Sequence, residues 1–140
     1  MDALTDAIYD RLTGDATLAA MLATWEGAPA VFTVDPVPEG AALPYIVSAG
    51  QVADAPFDAK NSRGRSVMRD VRCYAPADGS TLIEVMAERV RELLHRHRLA
   101  IEGYGTLWAT ASGPVAVNEP EVYGRVVTLQ LTAMVAREGS

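Results

Sequence analysis

Leu4, Ile8 and Leu12 recur four residues apart, with Asp2, Asp6 and Asp10 between them, a pattern that predicts a helix with a narrow apolar stripe. Acids early in that helix suit its dipole, and Gly14 is a natural stop. Asp15 is placed to cap a second helix over Ala16 to Thr24, where Leu18, Met21 and Leu22 again fall at helical spacing. From Ala30 the period changes: Val31, Phe32 and Val34 predict a short strand, and Pro36 and Pro38 then force an extended turn. Tyr45, Ile46 and Val47 open a strand over about residues 45–52. The stretch ADAPFDAKNSRGR at 53–65 mixes Pro, Gly, Asn, Asp and both charge signs without apolar periodicity, which predicts a long exposed loop, mobile or functional.

Residues 66–75 alternate, with Val67, Val71 and Cys73 on one side and Met68, Asp70, Arg72 and Tyr74 on the other, although Arg69 falls with the valines. This predicts a half-buried strand. Gly79, Ser80 and Thr81 introduce the longest helix, over 81–97; Thr81 and Glu84 have capping-box spacing, with Ser80 the rival cap. Leu82, Met86, Val90, Leu93, Leu94 and His97 form its expected buried stripe, and Glu92 with Arg96 an i,i+4 pair. Thr106 to Ala111 reads as a strand broken by Gly113-Pro114, and Tyr123 to Val135 gives the cleanest alternation in the chain, that of a central strand. The sum is an α+β fold: a mostly antiparallel sheet of about four strands, a long helix packed on one face, and N-terminal helices beside it.

Length and charge narrow the possibilities. The chain has 140 residues, 49% of them apolar, which suits a single domain over residues 1–140 able to bury roughly 70% of its unfolded surface without a metal or disulfide. Twelve basic residues against eighteen acidic ones leave a net charge of −6, which argues against binding nucleic acid by phosphate neutralisation. Cys73 is the single cysteine and can form no internal disulfide, and the N-terminus lacks signal-peptide features, so synthesis inside the cell is expected. No run approaches the ~20 apolar residues of a membrane span.

Candidate chemistry is sparse. Cys73 with His95 or His97 would supply a nucleophile and base, but a free cysteine on the inner side of a strand is more often an apolar filler. His95-Arg-His97 places two imidazoles far apart around a helix rather than on one metal, with His97 partly buried and His95 solvated. Asp2, Asp6 and Asp10 form a solvated face without a calcium-loop pattern, and Gly103-Tyr104-Gly105 and Arg63-Gly64-Arg65 lack the residues of a phosphate cradle. No catalytic, metal or cofactor residue is assigned, and no enzyme is expected. What stands out is a basic cluster, Arg63, Arg65, Arg69 and Arg72, which with Asp58 and Lys60 marks a candidate interface, to a neighbouring subunit in preference to DNA.

VFTVDPVPEGAALPYIV at residues 31–47 resembles the tail-completion, or tail terminator, family of long-tailed bacteriophages and gene transfer agent particles. The early LTGDATLAAMLA, Asp70-Val-Arg-Cys-Tyr-Ala, Val90-Arg-Glu-Leu-Leu-His95, Gly113-Pro114 and Gly124-Arg-Val-Val-Thr-Leu agree in order and spacing, so the likeness spans residues 3–136. The three prolines of the first motif have an immediate role as turn-formers. The resemblance implies a structural virion protein that assembles as a homo-oligomeric ring, usually a hexamer, on the head-proximal end of the tail tube. There it stops tube polymerisation and offers the surface for head–tail joining. The implied partners are the tail tube protein and a head–tail connector or neck protein, with DNA only in transit through the lumen and no membrane. The implied location is the neck end of the tail, assembled in the bacterial cytoplasm. The alternatives are a neck adaptor on the portal side or, from another class, a small hydrolase or ligand-binding domain, which would present a deep polar pocket.

Overall fold

The computed structural model describes residues 2–34, 36–59, 62–76, 80–96, 104–106, 109–117 and 122–135, with backbone alone at 2–3, 49–59, 62–65, 80, 104–106 and 131–135. Helix α1 (Asp2–Thr13) buries Leu4, Ile8 and Leu12 completely, as their spacing requires, and the Gly14 N–H closes its last turn on the Asp10 carbonyl at 3.0 Å. Helix α2 (Ala16–Met21) starts at the expected cap: the Leu18 N–H donates to Asp15 Oδ2 at 2.8 Å. It ends earlier than its sequence pattern suggests, because Thr24 enters a small hairpin of β1 (Thr24–Trp25) and β2 (Ala28–Pro29). The two connecting residues, Glu26 and Gly27, both have positive φ, the geometry that matches a two-residue turn to the twist of its strands.

The main sheet has six strands: β3 (Val31–Phe32), β4 (Tyr45–Ala59), β5 (Ser62–Pro76), β6 (Tyr104–Thr106), β7 (Thr110–Ala116) and β8 (Val122–Val135). Its order is β3-β4-β5-β8-β6, with β7 also on β8; every pairing is antiparallel except β3 with β4. The fold class is thus α+β as expected, with more strands than the four anticipated. Strand β8 is central, flanked by β5 on one side and by β6 and β7 on the other.

The largest departure from expectation is at 53–65. Residues 53–59 and 62–65 are not a loop: β4 and β5 stay paired from Ala53↔Met68 to Ala59↔Ser62, forming a hairpin arm whose β5 strand is also paired with β8 from Gly64 on; Lys60 and Asn61 lie outside the described residues. Two register shifts in β4, between Val47 and Gly50 and between Gln51 and Ala53, each give it one residue more than β5, and such bulges bend and twist a strand. Gly113-Pro114 likewise does not end its strand. It sits in a shift between Ser112 and Val115, after which β7 resumes pairing with β8. Gly113 has φ +102, and a Cβ there would lie 2.7 Å from the Val126 carbonyl, so the position takes glycine.

Helix α3 (Ser80–Leu94) packs on β5, β7 and β8, while α1 packs on β3 and β4. Because the helix already includes Ser80 and Thr81, neither is its cap, and the residue before Ser80 lies outside the described set. Arg96, at φ 56, follows the helix in the left-handed region and donates its N–H to the Ala109 carbonyl at 2.8 Å. The buried stripe runs through Ile83, Met86, Ala87, Val90, Leu93 and Leu94, whereas Leu82 is only half-buried. Glu92 pairs with Arg89 rather than Arg96. The core joins this stripe to Leu4, Ile8 and Leu12 and to Ile46, Val67, Val71, Cys73, Val127 and Leu129 on one sheet face. Ile83→Ala is therefore expected to cost about 2–5 kcal/mol in urea unfolding, and Leu82→Ala clearly less; the reverse order would refute this helix phase.

Candidate assembly surfaces

Strand β5 pairs with β8 from Gly64 to Pro76 without a register shift, so side-chain alternation holds along its length and separates the arginine cluster. Arg69 shares the parity of Val67 and Val71 and is buried at 4% exposure, its Nη1 donating to Thr5 Oγ1 on α1. It is a core residue, and the expectation that it serves an interface is corrected. Arg72 lies on the opposite face, exposed, between Val47 and Val126 in register. Arg63 and Arg65 belong to the arm, opposite Asp58 and Pro56 respectively on β4. Lys60 falls outside the described residues. Asp58, Arg63 and Arg65 thus lie on the arm, apart from Arg72.

The sheet face that bears Arg72 also carries a row of rings. Trp25, Phe32, Tyr45 and Tyr74 follow one another with centroid separations of 5.8, 5.6 and 5.5 Å, the first two contacts edge-on and the third tilted. Tyr45 and Tyr74 are register partners, so pairing of β4 with β5 builds the row, and each contact contributes about 0.5–1.5 kcal/mol beyond burial. The row ties the β1–β2 hairpin to the sheet. Backbone bonds assist: Ala30 N–H donates to the Ala23 carbonyl at 2.9 Å, and Ala23 N–H to that of Pro44 at 3.0 Å.

On the helical side, α2 and α3 meet at a two-point ion pair. Arg89 donates from Nε to Asp15 Oδ2 at 2.9 Å and from Nη2 to Oδ1 at 2.6 Å, while Asp15 also caps α2. Sequence reasoning found the cap but not the ion pair, because nothing local links residues 15 and 89. Beside the pair runs a groove of about 550 Å³, lined by Thr17, Met21 and Val85, by the acids Glu84, Glu88 and Glu92, and by Arg89 itself. Val85 is 52% exposed. Arg125 of β8 grips Glu84 Oε1 from Nε and Nη2, at 2.8 and 2.5 Å, and Arg91 holds Glu88 in the same manner.

Cys73 and His95 are both held within the fold. Cys73 is buried between Ile46 and Arg125 in register, and burial pushes its thiol up to about 12, so it carries no thiolate near neutral pH. His95 is half-buried rather than solvated: its Nδ1 accepts the Ala111 N–H at 3.1 Å. His97 falls outside the described residues. Asp6 and Asp10 are exposed, and no cluster of metal-ligating side chains occurs among the described residues. No helix of the described residues is long and apolar enough to cross a membrane.

A family described as tail completion protein gp17 matches residues 6–136. The chain belongs to this family. It is accordingly a structural protein of a phage-type particle tail. No curated protein matches significantly. Among solved structures, a chain from the virion of a native gene transfer agent particle shares the fold, with TM-score 0.75, 19% identity and 94% coverage of each chain.

Two outcomes follow from these contacts. Arg89 beside Asp15 holds its carboxyl below the ordinary carboxylate range, with the Leu18 N–H adding to the effect. A carboxyl whose pKa falls on folding contributes stability above its unfolded pKa of about 3.9 and loses it as pH drops through the folded value. The melting-temperature gap between wild type and Asp15→Asn should therefore be widest near neutrality and close below about pH 4; a pH-independent gap would contradict the ion pair. Separately, Arg69→Glu should destabilise by about 3 kcal/mol or more, since it places the wrong charge in the core. Arg65→Glu should leave the melting temperature nearly unchanged, and equal effects of the two would contradict the assignment.

Proposed function

We propose that the chain forms a closed ring, of six subunits, on the head-proximal end of the tail tube, stops tube polymerisation and presents the surface to which the head joins. The observation that carries this reading is the family match across residues 6–136; the likeness to a chain of a gene transfer agent virion supports the fold it requires. The physical argument concerns symmetry. A tube grows by a head-to-tail contact that never closes, and growth stops when the terminal surface is covered by a protein that does not repeat it. A ring of a different subunit meets that condition. The arm, with Asp58, Lys60, Arg63 and Arg65, and Arg72 on the sheet face are proposed as contacts with neighbouring subunits or with the tube and neck proteins. The function needs no cofactor and no turnover. DNA would pass the lumen without being held, and assembly would take place in the bacterial cytoplasm.

Deletion of the gene tests the reading in electron micrographs of the particles. Tails of uncontrolled length and heads left unattached are expected. Uniform tails joined to heads would refute it, and uniform tails left unjoined would place the chain on the portal side as a neck adaptor.

A further inference from the structure

We draw no further inference here: the strongest candidate, the sheet face opposite the helices, where Val115 and Val117 stand exposed beside Tyr74, Val126 and Arg72, carries nothing, because Asp70 on the same face offsets Arg72 and nothing in the structure shows what covers it.

Discussion

The unbroken pairing of β5 with β8, from Gly64 to Pro76 against Met134 to Val122, is the constraint on which the rest depends. Because no bulge interrupts it, side-chain parity is fixed over its whole length. Val67, Val71 and Cys73 turn to the helices, and Arg72 and Tyr74 to the other face. The same ladder continues past the helical layer and gives the arm its inner strand. Strand β4 is the flexible partner in this arrangement: its two bulges accommodate the change from a core strand to an arm strand, while β5 runs through.

Arg69 marks the point of that change. A guanidinium among buried valines is costly unless hydrogen-bonded, and its bond to Thr5 fixes the start of α1 against the sheet at that level. Toward Pro76 the sheet face is apolar and covered; toward Ser62 the sequence turns polar and basic. A second tie works at the other end of α1, where Arg11 Nε donates to the Leu93 carbonyl at 2.9 Å in the last turn of α3. Together with the Asp15–Arg89 pair, these bonds join three helices by side chains far apart in sequence.

What was legible in the sequence follows from where local signals are strong. The stripe of α1, the Asp15 cap and the alternation of β8 each arise from neighbours a few residues apart, and each is found where expected. The arm was not legible, because alternation identifies a strand only where one face is buried against a core. Residues 53–59 and 62–65 pair through their backbones, so the composition there carries a loop signature despite extended structure. The phase of α3 differs by one position from its sequence pattern, with Ile83 inside in place of Leu82, since two adjacent apolar residues allow either. Charge alone points Arg69 to a surface, whereas its parity with Val67 and Val71 places it inside. The α2–α3 groove lies between segments some seventy residues apart, and no motif announces it.

The resulting account is of an α+β core whose main sheet runs on past Arg69 along β4, β5 and β8, in a member of the tail completion family. Its central claim is that copies of this chain close into one ring at the tube end. Cryo-electron microscopy of the neck of the intact particle measures this most directly. The account predicts a single closed layer of this chain between tube and head connector, with neighbouring copies in contact around the layer. Copies repeating along the tube, or subunits placed there without contact to one another, would contradict it.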